Sequence, residues 1–222
     1  MSVKLIIFDL DGTLADTAVD MADALNDVLP RNIAPVSVEE ARTVMGGGED
    51  SLAKRFGPRS SGLDGREFEK RFAEAYAARL SVHTKLYPGV RATLGKLSAY
   101  AKAVLSNRMT ALAVQVLERF KLLPYFLDVV GRDSGAGMKP SPLPVLHLLG
   151  RIPAKPDETI IVGDCIHDIN AGRAAGVCTV AATYGYGVDR SFVERADFVI
   201  DGFPQLLRVI AQLDCAPYPA AS

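Results

Sequence analysis

The chain has 222 residues, of which 49% are apolar, and 25 basic against 26 acidic side chains leave a formal net charge of -1. This balance excludes the broad basic surface with which proteins bind nucleic acids or acidic membranes. The apolar content supports a substantial core, and the length predicts a core domain with a smaller insertion.

The cysteines and the first apolar run indicate the compartment. Cys165, Cys178 and Cys215 lack metal-type spacing, and their odd number favours reduced thiols over a disulfide framework. Asp9 interrupts the first apolar run, which is too short for a signal-peptide core, and no run reaches the roughly 18 apolar residues of a membrane helix. We therefore expect a soluble cytoplasmic protein without nucleic-acid or membrane partners.

The first predicted element is a buried strand over residues 5–8, which is followed at once by Asp9 and Asp11. Side chains alternate along a strand, so these two carboxylates project from the same side. Neighbouring carboxylates resist joint ionisation unless a cation lies between them. Because α/β sheets bind ligands at the carboxyl ends of their strands, the pair predicts a site for a metal and a phosphate.

Residues 17–84 show helical patterns with no strand between them. The predicted helices in this stretch cover residues 21–29, 39–45, 51–56 and 66–80. A run of helices without strands is typical of a separate layer or domain. We interpret residues 17–84 as a helical domain inserted into a core domain formed by residues 1–16 and 85–222.

From residue 86 onward, strands and helices alternate. The predicted strands cover residues 101–105, 126–130, 159–162, 177–180 and 198–200, and the predicted helices cover 90–97, 111–120, 142–150 and 168–175. This alternation predicts an α/β fold of the Rossmann-like type, with a mostly parallel sheet and helices on both faces. We expect the tail after Leu213 to fray.

Two turns in this region carry groups that suit a phosphate. Ser106 and Asn107 end a predicted strand and offer a hydroxyl and backbone N–H groups. Lys139 precedes a proline, which predicts a turn or a helix start where its ammonium could offset phosphoryl charge. Taken alone, the first pattern is more typical of an ordinary turn or cap and the second of a solvated surface lysine.

The strand predicted over residues 159–162 leads into Gly163, Asp164 and, four residues later, Asp168. A helix N-cap would explain Asp168 by itself. It does not explain a second aspartate directly after a strand and a glycine, so this turn also predicts a site.

These four segments resemble, in order and over essentially the whole chain, the four motifs of the haloacid dehalogenase superfamily of phosphohydrolases. Residues 86–90, 183–187 and the glycine-rich stretch 44–52 with Arg55 are similar to its phosphoglycolate phosphatase-like branch. The resemblance implies a phosphomonoesterase for a small phosphorylated metabolite, with a helical cap domain above the core. Of the possible metabolites, 2-phosphoglycolate, N-acetylmuramate 6-phosphate and a nucleotide stay open.

The resemblance also implies a role for each matched acidic residue. Asp9 would attack phosphorus and form an aspartyl-phosphate, and Asp11 would act as the general acid and then the general base. Asp9, the backbone carbonyl of Asp11, and Asp164 would hold Mg²⁺. Asp168 would act from outside the direct ligands, holding a metal-bound water or Lys139.

The other matched residues would contact the substrate. Ser106 and Lys139 would bind the phosphoryl oxygens, with backbone contacts from Asn107. Arg55 and Arg108 are candidates for an anionic second group on the substrate. For Arg108 a solvent-facing side chain fits the sequence equally well.

Three alternatives are weaker. Sugar phosphomutases of the same superfamily share the paired aspartates, but their cap carries a Trp-Arg pair and this chain has no tryptophan. Dehalogenases lack the second aspartate that is present here as Asp11. A non-enzymatic protein on the same fold would usually have lost a carboxylate or the lysine. The oligomeric state is not predicted.

Overall fold

A computed structural model describes residues 2–45, 52, 54–60, 62–187 and 191–215. Within these ranges the strands are β1 (Leu5–Phe8), β2 (Ala15–Asp16), β3 (Lys85–Leu86), β4 (Ala101–Leu105), β5 (Asp128–Val130), β6 (Thr159–Gly163), β7 (Cys178–Ala182) and β8 (Phe198–Ile200). The α-helices are α1 (Ala18–Val28), α2 (Val38–Met45), α3 (Gly65–Arg79), α4 (Val90–Lys96), α5 (Thr110–Arg119), α6 (Leu143–Arg151), α7 (Ile166–Ala175), α8 (Ser191–Arg195) and α9 (Leu206–Cys215).

Six strands form one parallel sheet in the order β5-β4-β1-β6-β7-β8. The central strand β1 pairs with β4 on one side and β6 on the other, so that Phe8 lies opposite Val104 and Val162. The strand order reverses around β1, and such a reversal opens a crevice at the carboxyl ends of the strands. The predicted α/β fold with a parallel sheet is therefore confirmed.

Hydrophobic clusters cover both faces of this sheet. Ile6 and Phe8 point into one cluster, whereas Leu5 and Ile7 point into the other. This alternation leaves β1 buried on both sides, which explains its continuous apolar sequence. The carboxylates that follow β1 are therefore attached to a rigid strand that is buried from solvent.

The structure departs from the predicted elements in several places, and the short elements β2, β3 and α8 are not among those predicted. The strand predicted from Phe126 begins only at Asp128, because residues 123–125 form a tight helical turn and Phe126 packs its ring 6.1 Å from that of Phe8. Helix α9 was not predicted, although its apolar residues pack on the sheet.

The helices from α1 to α3, with both of these included, surround a hydrophobic cluster of their own, which includes Leu25, Phe56, Phe68 and Phe72. The segment that leads into this region and the segment that leads out of it lie next to each other, where they form the short antiparallel strands β2 and β3. This packing supports the proposed division into a core (1–16 and 85–222) and a helical cap (17–84).

Some sequence predictions fall outside the described residues, namely the glycine-rich stretch after Met45 and residues 216–222 of the tail. The first two residues of the tail that we expect to fray, Asp214 and Cys215, instead end helix α9. In the part of the chain that the structure describes, no helix is long and apolar enough to cross a membrane.

Candidate active site

The segments after β1, β4 and β6 meet at one edge of the sheet. Asp9 follows β1, Ser106 follows β4 and Asp164 follows β6. Lys139 reaches the same place from the segment before α6. A cavity of about 30 Å³ lies there, lined by Asp9, Asp11, Met21, Met45, Leu52, Ser106, Asn107, Arg108, Lys139 and Cys165.

Lys139 is the central residue among the polar side chains that line the cavity. Its Nζ lies 2.5 Å from Oδ1 of Asp9, 2.6 Å from Oδ1 of Asp168 and 2.8 Å from the carbonyl oxygen of Leu105. Burial alone would lower the pKa of Lys139, but its attraction to Asp168 and Asp9 outweighs burial and raises that pKa. The residue is 4% exposed, so the surface-lysine interpretation is wrong.

Asn107 holds the backbone of Lys139 in place. Its Nδ2 donates to the carbonyl oxygen of Lys139 at 2.9 Å, and its Oδ1 accepts from the backbone N–H of Lys139 at 2.9 Å. The side chain of Asn107 therefore positions the lysine. The backbone contacts to phosphate that we expect from Asn107 stay a prediction.

Asp9 and Asp164 are buried carboxylates that raise the cost of each other's charge. Burial raises the pKa of Asp9 to about 7, although Lys139 opposes this shift. Burial and repulsion from Asp9 and Asp168 also raise the pKa of Asp164. Lys139 pairs with Asp9 and Asp168, so ionising Asp164 as well as Asp9 is unfavourable, and an additional divalent cation would relieve this repulsion. The donor chemistry thus fits a hard metal ion.

Two backbone segments, one at Gly12 and one at residues 185–186, approach the side chain of Asp164 closely. Tyr186 donates its N–H to Oδ2 of Asp164 at 2.6 Å, and the Thr13 hydroxyl donates to Oδ1 at 3.3 Å. Gly12 has a φ of +87°, and a Cβ added to it would lie 2.1 Å from Oδ2 of Asp164. A Cβ on Gly185 would lie 2.4 Å from the same oxygen. The glycines are therefore required for this approach.

Asp168 is fully buried, and both of its oxygens are engaged. Oδ1 accepts from Lys139, and Oδ2 accepts from the backbone N–H of Cys165 at 3.2 Å and from its thiol at 3.0 Å. Ligand atoms of Asp164, Cys165 and Asp168 lie within 4.8 Å of one another. Burial raises the pKa of the Cys165 thiol, and a neutral thiol is a poor metal ligand. These contacts support the predicted place of Asp168 outside the direct ligands.

Arg108 is buried beside Asp11 and does not face solvent. Its Nε lies 3.0 Å from Oδ2 of Asp11 and its Nη2 lies 2.5 Å from Oδ1. The Thr17 hydroxyl donates to the same Oδ1 at 2.5 Å. The Arg108 guanidinium also lies 4.4 Å from the ring centroid of Tyr76, on cap helix α3. Tyr76, which is buried in the hydrophobic cluster of the cap helices, therefore also contacts the site.

Sequence reasoning missed a second link between the core and the cap. The hydroxyl of Tyr186 accepts from the backbone N–H of Thr17 at 2.6 Å and donates to Asp16 at 2.8 Å. Asp16 in turn forms an ion pair of 3.2 Å with Arg42 on cap helix α2. The sequence contains one indication of a role for Tyr186, because the stretch 183–187 is part of the family resemblance.

Three candidate residues are not among the described residues that line the cavity, namely Arg55, Asp164 and Asp168. Asp168 contacts the lining residue Lys139, whereas Arg55 is exposed. The contact of Arg55 with the substrate stays a prediction.

Comparison with known proteins agrees with this geometry. The model of the haloacid dehalogenase-like hydrolase family matches residues 6–182. A phosphoglycolate phosphatase from Chromobacterium violaceum is 35% identical over 212 residues, which cover 92% of this chain and 95% of that protein. A phosphoglycolate phosphatase from Haemophilus influenzae is 34% identical over 219 residues, with coverage of 93% and 98%.

A solved structure is also similar. The crystal structure of a predicted phosphoglycolate phosphatase from Haemophilus somnus 129pt has a TM-score of 0.87 and 31% identity, covering 94% of this chain and 98% of the other. The family model spans more than half of the chain, and the relatives are matched over nearly their whole length. The chain therefore belongs to the haloacid dehalogenase-like hydrolases, and within them it is a phosphatase.

Proposed function

We propose that the protein is a Mg²⁺-dependent phosphomonoesterase that hydrolyses 2-phosphoglycolate through an aspartyl-phosphate on Asp9. The observation that carries this proposal is the contact of Asp9 with Lys139 in a cavity that Asp11 also lines, at the sheet edge where Asp164 follows β6. A carboxylate beside a buried ammonium is suited to receive a phosphoryl group whose negative charge the ammonium offsets.

The proposed metal ligands are Asp9, the backbone carbonyl of Asp11, and Asp164. When bound, Mg²⁺ would supply positive charge that neutralises the carboxylates and the phosphoryl oxygens. The close approach of Gly12 and Gly185 to Asp164 fixes one of these ligands before any ion binds. Asp168 would keep Lys139 in place through its 2.6 Å contact.

In the first step, a carboxylate oxygen of Asp9 attacks phosphorus, and the bond between phosphorus and the ester oxygen breaks. Asp11 donates its proton to the leaving oxygen, which departs as an alcohol. Lys139 and Ser106 bind the phosphoryl oxygens during transfer.

In the second step, Asp11 removes a proton from a water molecule that attacks phosphorus. The bond between phosphorus and the Asp9 oxygen breaks, which releases phosphate and restores both carboxyl groups. Met21, Met45 and Leu52 line the same cavity with apolar side chains. We infer that this apolar cover limits the entry of other water molecules.

Phosphoglycolate is the proposed substrate because relatives with that activity in their names match this chain over more than nine-tenths of its length. The test is phosphate release from a panel that contains phosphoglycolate, N-acetylmuramate 6-phosphate, a nucleotide and a sugar phosphate. We expect the highest kcat/KM for phosphoglycolate. A higher value for another ester would reassign the substrate, and isomer formation without phosphate release would indicate a mutase.

We expect removal of the metal to abolish turnover. A chelator should stop phosphate release, and added Mg²⁺ should restore it and raise the melting temperature of the protein, because the ion binds only the folded chain. Asp164→Asn should require at least about tenfold more Mg²⁺ for half-maximal activity, since it removes a proposed ligand. Full activity in the chelator would contradict the proposed metal dependence.

We also propose that the enzyme acts in the cytoplasm. The three cysteines are all free thiols, and reduced thiols are typical of that compartment.

A further inference from the structure

Arg108 gives the cavity a second cationic group beside Lys139. Its side chain is 4% exposed and binds the Asp11 carboxylate through two parallel hydrogen bonds. A planar guanidinium matches a carboxylate in this way, whereas a lysine ammonium does not. The side chain of Asp11 thus occupies a position that is built for a carboxylate.

Lys139 does not offer a comparable position. Its ammonium has three N–H donors, and they are directed at Asp9, Asp168 and the carbonyl oxygen of Leu105. Lys139 is thus held beside the proposed nucleophile Asp9, and among the described residues that line the cavity Arg108 is the cation that is paired with Asp11 instead.

Arg108 is held at both ends, its guanidinium by Tyr76 and its backbone by Ser106. The ring of Tyr76, buried on α3, lies 4.4 Å from its Cζ atom. The backbone N–H of Arg108 donates to Oγ of Ser106 at 3.2 Å. A cation packed against an aromatic face and fixed by a tight turn loses little freedom when it binds an anion.

The turn that holds Arg108 also carries a proposed phosphate ligand. Ser106 lies two residues before Arg108, and both line the cavity. A phosphoryl group at Ser106 would leave a second anionic group of a short substrate close to the guanidinium. A long or neutral substituent would place no carboxylate there.

We propose that Arg108 is the specificity residue, which selects esters that bear a carboxylate close to the phosphate by binding that carboxylate in place of Asp11. This inference rests on the proposed function. The exchange of partners also leaves the Asp11 carboxyl group able to turn toward the leaving oxygen. Substrate recognition and placement of the general acid would then be one event.

The test compares two esters of similar size, 2-phosphoglycolate and 2-hydroxyethyl phosphate, which lacks the carboxylate. Both esters depend on Asp9 as the nucleophile, so a general loss of activity cancels in the ratio of the two kcat/KM values. We expect Arg108→Gln to lower the preference for phosphoglycolate by about 10- to 100-fold, as for the loss of a charge-assisted bidentate contact. Arg108→Lys keeps the charge without the planar fork and should lower the preference at least about threefold.

Arg132→Gln is the matched control. Arg132 forms an ion pair of 3.1 Å with Glu69 on the cap and does not line the cavity among the described residues, so the preference should not change. Circular dichroism would establish that each variant is folded. If the Gln variant does not fold, the Lys variant decides the outcome.

Equal losses for both esters in the Gln variant, or an unchanged preference in the Lys variant, would overturn the inference. A wild-type enzyme that hydrolyses both esters without preferring phosphoglycolate would also overturn it, while the phosphatase reaction would stand. Failure of the proposed function would differ from both results, because the wild type would then release phosphate from neither ester.

Discussion

Replacing Asp9 by Asn is expected to lower kcat by at least about 10⁴-fold, because an amide cannot attack phosphorus to form the acyl phosphate. The protein should remain folded. Burial raises the pKa of Asp9 to about 7, so its ionised form is costly in the apo protein, and a neutral amide of the same shape removes that cost. Lys139 would keep its contacts with Asp168 and Leu105. Phosphate release and the melting temperature should therefore change independently.

Asp157→Asn is the control for this variant. Asp157 is exposed and precedes β6, at the opposite end of that strand from Asp164, so its substitution should leave both measurements unchanged. If Asp9→Asn kept more than about one hundredth of the wild-type turnover, Asp9 would not be the nucleophile.

Replacing Lys139 by Met should lower both activity and stability. Loss of the ammonium removes a charge that offsets the phosphoryl oxygens, and we expect kcat to fall by about 10³-fold. It also leaves Asp9 and Asp168 as buried carboxylates without their shared cation. Breaking a buried ion pair by removing one partner costs about 3–5 kcal/mol of the free energy of unfolding. Steady-state kinetics and urea unfolding measure the two effects.

The double variant Asp9→Asn with Lys139→Met separates these effects. It should recover part of the lost free energy of unfolding, since one of the two unpaired carboxylates is gone, yet it should remain inactive. Lys96→Met, which changes an exposed lysine at the end of α4, is the control and should alter neither quantity. A fully stable Lys139→Met protein would contradict the account of the buried ion pair.

Local sequence patterns predicted those parts of the site that lie directly after strands. Asp9 and Asp164 each follow an apolar strand, and parallel strands bring such positions to one edge. Lys139 could not be assigned in this way, because it does not follow a strand and a lysine before a proline is also typical of an ordinary surface turn. Its role was implied only by the family resemblance.

Contacts between distant segments could not be predicted. The guanidinium of Arg108 joins Asp11 and Tyr76, which belong to segments far apart in the chain, and local periodicity contains no information about such a meeting. The same holds for Tyr186, which connects Asp164 with Asp16. The strands β2 and β3, of two residues each, are too short to show a pattern.

Helix α9 is different, because its sequence did carry a signal. Leu206, Val209, Ile210 and Leu213 recur at helical spacing and are all buried in the structure. The sequence therefore contains the periodicity that predicts α9.

The central claim is that Asp9 carries the phosphoryl group during turnover. The most direct measurement mixes wild-type enzyme with saturating phosphoglycolate and Mg²⁺, quenches the reaction with acid during the first turnovers, and reduces the protein with borohydride. Reduction converts an acyl phosphate of aspartate to homoserine, which peptide mass spectrometry locates. We expect homoserine at position 9, and none when the substrate is omitted. Modification of another residue, with position 9 unchanged, would contradict the account.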